Sequence, residues 1–322
     1  MRLNESRTEG DMYTVDVVVP CFNEEAVLNM FYDESKKVFD SISNYDFRYI
    51  FVNDGSKDKT IDILRVLAQK DSKVKYISFS RNFGKESAMY AGLVNTTADL
   101  VVIMDADLEH PPKLIPEMLE KIEEGYDSVA AMRSKRRRGI KSMFSSLFYK
   151  LSNRFTDVEM KQNTQDYRMM TRQMVDSILQ MTETQRFTKG IFAWVGFETA
   201  WIEHEDVERP AGESKWGFRS LFKYAIRGIT NFSISPLRFL TVSGLFISFL
   251  AFVAIIVALI RRFAFGITGT DGFTIIIIAI LFLGGIVEMS LGILGEYIAN
   301  IYLETKDRPI YITKESNIED VK

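Results

Sequence analysis

Val101-Val102-Ile103-Met104-Asp105-Ala106-Asp107 decides how this chain is read. It is an apolar run that ends in two carboxylates spaced i, i+2. In an extended backbone, residues i and i+2 project to the same side, so Asp105 and Asp107 are expected to converge at a strand end. An apolar run of this kind suits a buried parallel strand, and the ends of such strands are where open α/β sheets bind ligands. Two carboxylates there suit a divalent cation, which would neutralise a diphosphate. A pair of turn aspartates is the alternative.

Working outward, strands and helices alternate. Val15–Pro20 is a β-branched run stopped by proline, and 24–41 carries apolar residues at helical spacing. Strands are expected at 47–52, 74–79 and 100–104, with helices at 60–70 and 85–95. This alternation predicts a mostly parallel, doubly wound sheet with flanking helices.

Composition narrows the chemistry. The 322 residues suffice for one sizeable domain and a smaller one. A formal charge of −3 argues against a general nucleic-acid binder. Cys21 is the single cysteine, which excludes an internal disulfide framework and fits a reducing compartment. With only His110 and His204, a histidine-built metal site or a Ser-His-Asp triad is not expected. The polar N-terminus has no apolar signal-peptide core.

A mean hydropathy of −0.02 averages two unlike regions. Phe239–Ile260 gives 22 residues without a charge, and Phe273–Leu294 gives 22 with only Glu288. About 20 apolar residues span a hydrocarbon core, so a two-helix membrane hairpin is expected. Arg219, Lys223, Arg227 and Arg238 precede it, Lys306, Arg308 and Lys314 follow it, and Arg261 and Arg262 lie in its connection. That bias places the soluble domain in the cytoplasm. Glu288 and Glu296 sit in or near the second span, where ionisable groups are functional candidates by default; Glu288 is assigned no role.

The turns after the strands are polar. PCFNE (20–24) presents backbone amides and short side chains to a ligand, or caps a helix with Asn23. NDGSKDKT (53–60) ends the second strand; Asp54 there could accept from a base N–H, and Asp58 would cap the next helix. Arg133 opens a run of six cations in nine positions that continues into an amphipathic stretch at 140–155. A second such stretch covers 216–229. Both read as faces lying on an anionic membrane surface, the alternative being solvated faces.

Together PCFNE, NDGSKDKT, RNFGKE (81–86) and DADLEHPP (105–112) resemble the family 2 glycosyltransferases, whose fold is GT-A. TQDYRMM (164–170), QRFTKG (185–190), WVGF (194–197), RPAGESKWGF (209–218), SPLR (235–238) and GEYIANIYLETKDRP (295–309) narrow the resemblance to the polyprenyl-phosphate glycosyltransferases, the group of bactoprenol glucosyltransferase and dolichol-phosphate mannose synthase. It covers nearly the whole chain.

The resemblance implies a GT-A domain at 13–216 after a polar tail at 1–12, an amphipathic juxtamembrane segment at 217–237, the hairpin at 238–303 and a cytoplasmic tail at 304–322. It implies that Pro20, Asn23, Glu24 and Asp54 line the nucleotide pocket, with Asp54 reading the base. Asp105 and Asp107 would hold Mg²⁺ or Mn²⁺ on the donor diphosphate. Where the family has DADLQDPP, this chain has Glu109 and His110; Glu109 either joins the metal shell or caps the segment after Pro111-Pro112. Lys85, Arg133, Arg168 and Lys215 are expected to bind substrate, Arg133 gripping the acceptor phosphate. Asp166 would orient acceptor or sugar, with Arg168 beside it as a partner.

The implied activity is inverting transfer of a hexose, glucose or N-acetylglucosamine, from a UDP-sugar to undecaprenyl phosphate. It would take place at the cytoplasmic face of a bacterial membrane, for modification of a cell-envelope glycan. Assembly of several chains through the short hairpin is compatible with the sequence. Two other readings compete. A processive polysaccharide synthase would show Gln-x-x-Arg-Trp, where this chain has Gln185-Arg186-Phe187. A non-enzymatic nucleotide-sugar-binding scaffold would have lost the acidic cluster, which is intact.

Overall fold

The computed structural model of the chain describes residues 12–134, 161, 164–204, 230, 233–265 and 272–319. The basic run at 135–141, the amphipathic stretches at 140–155 and 216–229, and the 209–218 motif with Lys215 lie outside the described residues, as do the tail before Met12 and residues 266–271 of the hairpin connection.

An eight-stranded sheet forms the frame. Its strands are β1 (Tyr13–Cys21), β2 (Tyr45–Asn53), β3 (Val74–Phe79), β4 (Leu100–Ile103), β5 (Ser128–Arg133), β6 (Thr164–Thr171), β7 (Thr199–His204) and β8 (Thr313–Ser316). They are ordered β7-β5-β6-β4-β1-β2-β3-β8. The block β4-β1-β2-β3 is parallel, β5 and β7 are parallel to each other, and β6 runs antiparallel between β4 and β5. Val15, Val17, Val18 and Val19 of β1 are fully buried because helices cover both faces, as a central parallel strand requires.

Helices α1 (Leu28–Phe39), α2 (Thr60–Lys70) and α4 (Ile115–Glu123) pack one face through residues such as Phe31, Leu64 and Met118. The other face carries α3 (Lys85–Val94), α5 (Arg172–Leu179) and α6 (Thr188–Trp194), through Met89, Val175 and Ile191. α3 lies close on the sheet: a Cβ added at Gly92 would fall 2.1 Å from Cγ1 of Val18. In this order the chain reverses direction across the sheet on either side of β1, and the carboxyl ends of β1, β2 and β4 open on one crevice.

Two long helices come next, α7 (Ser235–Phe265) and α8 (Gly272–Thr305). Ser235–Ala254 and Phe282–Thr305 are long and apolar enough to cross a membrane, with mean hydropathy 2.0 and 1.4. Tyr297 Oη donates to the Ser233 carbonyl at 2.5 Å, and Asn300 Nδ2 donates to Thr230 Oγ1 at 3.2 Å, so α8 is fastened beside the start of α7.

The last segment differs from the separate tail expected at 304–322. Thr313–Ser316 returns as β8, antiparallel to β3. Tyr311 stacks on Phe79 at 4.9 Å, and Arg65 grips Glu315 through two bonds of 3.0 and 2.6 Å. The short polar sequence Thr-Lys-Glu-Ser has no strand periodicity; it is a strand because the exposed edge of β3 supplies its partners.

Candidate active site

The loops at the ends of β1 and β2 are joined to each other. Asn23 sits in the left-handed region at φ 56°, which asparagine tolerates better than most residues. Its N–H donates to Ser56 Oγ and its Oδ1 accepts from the Lys57 N–H, both at 2.9 Å. The Glu24 N–H donates to Thr60 Oγ1 at 2.9 Å. Helix α1 begins only at Leu28, so Asn23 is a bridge between loops and not the helix cap that one reading gave it. Pro20 is half-buried at the end of β1. Asp58 does serve the start of α2, accepting from the Thr60 N–H at 3.0 Å.

Asp54 is 4% exposed and its carboxylate is saturated by its own chain. Oδ1 accepts from the N–H of Phe83 at 2.6 Å and of Gly84 at 3.2 Å, while Oδ2 accepts from Asn82 Nδ2 at 2.8 Å and from Gly84 N–H at 3.0 Å. A carboxylate offers about four such directions. In this structure Asp54, the residue expected to read a base, clamps the RNFGKE loop onto β2. Burial lifts its pKa to about 6, against the pull of those amide bonds. The clamp needs glycine at position 55, where φ is +64° and a Cβ would lie 2.3 Å from the Arg81 carbonyl carbon.

At the end of β4 the side chains are charged. The strand stops at Ile103, so Asp105 follows it outside the strand and Asp107 lies in the turn beyond. Asp107 Oδ1 accepts the Glu109 N–H at 3.1 Å, and Leu108 takes φ 58°. Buried His110 accepts the Asp105 N–H at Nδ1 (3.1 Å) and stacks on Tyr167 at 5.1 Å. Burial lowers its pKa, leaving a neutral ring protonated at Nε2.

Lys85 joins two of the three carboxylates expected to be catalytic, Asp105 and Asp166, and not Asp107. Its Nζ donates to Asp105 Oδ2 at 2.8 Å and to Asp166 Oδ2 at 2.7 Å. Lys189 Nζ lies 3.8 Å from the other oxygen of Asp166. Burial works against ionisation of Asp166, but the ammonium groups of Lys85 and Lys189 outweigh it and hold the carboxyl below the usual range. Burial also opposes the charge on Lys85, and Asp105 and Asp166 restore it. Behind them Glu86 Oε2 accepts the Thr188 N–H at 2.9 Å and the Thr188 hydroxyl, tying the start of α3 to the start of α6. Sequence reasoning missed Lys189 and Glu86. Both lie in motifs that carry the family resemblance, yet only the tertiary fold brings positions 86 and 188 together.

Two expectations meet different partners. Glu109, read as a third metal ligand, pairs with Arg133 Nη2 at 2.7 Å, which also engages the residue expected to grip the acceptor phosphate. Among the described residues no three His, Cys, Asp or Glu side chains gather for one ion. Arg168 shares a strand face with Asp166 but does not pair with it. It donates to Ser128 Oγ at 3.1 Å and lies 4.5 Å over the ring of Phe192, while the Asp166 carboxylate lies with Lys85 and Lys189.

Residues 16–179, the stretch that contains Asp54, Lys85, Asp105, Asp107 and Asp166, match the profile of glycosyl transferase family 2. The chain belongs to that family. Relatives run almost end to end with it. The putative glycosyltransferase CsbB of Bacillus subtilis (strain 168) is 43% identical over 305 residues, 94% of this chain and 92% of that one. The bactoprenol glucosyl transferase of Shigella phage SfX is 41% identical over 302 residues (93% and 98%). The prophage bactoprenol glucosyl transferase homolog of Escherichia coli (strain K12) is 40% identical over 302 residues (93% and 98%). Among solved structures, mannosyl-3-phosphoglycerate synthase from Rubrobacter xylanophilus has 19% identity and a TM-score of 0.48, covering 68% of this chain and 73% of that one, too distant a likeness to bear on function. This family 2 protein is a glycosyltransferase, and its sheet with flanking helices is the GT-A-like frame expected from the sequence.

Proposed function

We propose that this glycosyltransferase moves a hexose, glucose or N-acetylglucosamine, from a UDP-sugar to a polyprenyl phosphate such as undecaprenyl phosphate. The reaction would take place at the cytoplasmic face of a bacterial membrane that α7 and α8 cross, in the service of cell-envelope glycan modification. The observation that carries this reading is identity of about 40% to bactoprenol glucosyl transferases over 302 of the 322 residues, a span that must include both apolar helices.

Asp105 and Asp107 would hold Mg²⁺ or Mn²⁺. The donor set fits: hard carboxylate oxygens, two in number, are how Mg²⁺ is usually held when substrate phosphates complete its shell. When bound, the cation would neutralise charge developing on the departing nucleoside diphosphate.

The remaining chemistry falls to the chain and its substrates. A phosphate monoester has a second pKa near 6 and is largely ionised at neutral pH, so no base is needed. One of its oxygens attacks the anomeric carbon. The bond from that carbon to the β-phosphate oxygen breaks, and its electron pair leaves with UDP. A single displacement of this kind inverts the anomeric centre. Asp166, held ionised by two lysines, is a poor proton acceptor and suits the orienting role. Lys85 fixes the distance between Asp166 and the cation-binding Asp105, so catalysis rests on positioning and electrostatics.

The test is a transfer assay with the full chain, undecaprenyl phosphate, Mn²⁺ or Mg²⁺, and radiolabelled UDP- and GDP-sugars. Label passing into the organic phase from one UDP-hexose supports the reading. Donor hydrolysis without a lipid product refutes it.

A further inference from the structure

Beside Asp166, on the sheet face that carries α6, lies a cavity of about 280 Å³. Its shape comes from register. Arg168 on β6, Ala130 on β5 and Trp201 on β7 stand level across three strands. Arg168 and Trp201, which flank Ala130, line the cavity, and α6 adds Phe192 and Lys189. Lys161 and Thr164 line it as well.

The lining is one-signed. Lys161, Arg168 and Lys189 all reach it, and no Asp or Glu is among the described residues that line it, Asp166 standing just outside at 3.8 Å from Lys189. Arg168 is only 5% exposed, and its Nε finds no hydrogen-bond partner; the same holds for Nε2 of Gln165 in the same wall. A buried guanidinium that Asp166 supports only through space, without an ion pair, is costly. Ring contacts of Arg168 with Phe192 at 4.5 Å and Trp201 at 5.6 Å recover only part of that cost. A neutral sugar would need acceptors for its hydroxyls as well as donors, and this wall offers chiefly donors.

We infer that Arg168, Lys189 and Lys161 form a seat for a phosphate monoester, and that it holds the phosphate end of the lipid acceptor. The second half of that statement rests on the function proposed above. The size agrees, since small-molecule sites usually start at roughly 300 Å³, enough for a headgroup and too little for a nucleotide-sugar. Location agrees too. Lys189 lines the cavity, donates to the Thr164 carbonyl at 3.0 Å and stands 3.8 Å from Asp166, which Lys85 joins to Asp105. An anion in the seat is therefore one lysine from Asp166 and two from the donor's cation site. Phe192 and Trp201 would meet the first apolar carbons of the lipid. The seat lies apart from Arg133, which is engaged with Glu109.

The experiment measures binding of inorganic phosphate, a polyprenyl phosphate and the matching polyprenol to the full chain in detergent by calorimetry. Wild type is compared with Lys189→Met, Lys161→Met and Arg168→Gln, and transfer kinetics are run alongside. Dissociation constants for both phosphates, and the KM for the acceptor, should rise about tenfold or more in the variants, with the donor KM within about twofold. The polyprenol alone should show no loss. If buried Arg168→Gln fails to fold, the two lysine variants, at less buried positions, carry the test. Unchanged phosphate affinity in both overturns the seat. Loss of inorganic phosphate with lipid affinity and acceptor KM intact overturns the acceptor assignment. If wild type transfers to no polyprenyl phosphate while the variants lose phosphate binding, the proposed function falls and the seat stands.

Discussion

The ends of β1 and β2, and the end of β4 with the start of β6, face the same crevice but are held in different ways. On the first side, loops hold loops: Asn23, Ser56 and Asp54 spend their polar atoms on backbone amides and neighbouring side chains of the same region. On the second, charges hold charges: Lys85 with Asp105 and Asp166, Arg133 with Glu109. Hydrogen bonds that are satisfied within the chain need no ligand and give a fixed wall. Ion pairs can be exchanged for ligand charges, because a cation or phosphate can replace the partner that each group has in the free protein. The crevice thus combines a preformed wall with a side built to trade partners.

Substitutions can break this contrast. Asp105→Asn should have the largest effect, a loss of roughly 10²–10³ in transfer rate with the unfolding temperature little changed. Rates near wild type would remove Asp105 from the chemistry. Lys85→Met should cost less, on the order of tenfold to a hundredfold in kcat. It should also move the acid limb of the pH–rate profile upward, because Asp166 loses one of the ammonium groups that keep its carboxyl low.

Asp54→Ala tests the other wall. It should act on stability before chemistry, costing about 1–3 kcal/mol by leaving the Phe83 and Gly84 amides without acceptors, read from thermal unfolding. Its pH signature has a definite sign. The folded-state pKa of Asp54 is raised from 3.8 to about 6, so the part of stability linked to its protonation is full below about 4 and is lost as pH rises through about 6. The alanine variant should lack that slope. Glu315→Ala, remote from both walls, should cost least. Its pair with Arg65 is solvent-screened, and roughly 0.2–1 kcal/mol is the range for exposed pairs. A larger loss would mean that β8 depends on this one contact.

Much of the first wall was legible in the sequence because it arises from local pattern. α2 and β3 run over the residues that periodicity indicates, and β1, β2 and β4 differ by only a residue or two at their ends. The second side was legible in identity but not in geometry. The sequence motifs contain Asp105, Asp107, Asp166 and Lys85, yet the pair of Lys85 with Asp166 joins positions 81 apart, which no spacing rule encodes. Glu109 and Arg133 were given separate ligands, and the fold pairs them because the turn after β4 meets the end of β5. Lys189 was passed over because a lysine in a short helix carries no local signal. β8 was missed for a similar reason, its strand character coming from β3 and not from its own residues.

That final strand also sets an order of assembly. Thr313–Ser316 leaves the ribosome after both apolar helices, so the edge of β3 stays bare until the hairpin has been made. A bare edge is an invitation to wrong pairing. Covering it with residues that follow α8 makes completion of the sheet wait for both long helices.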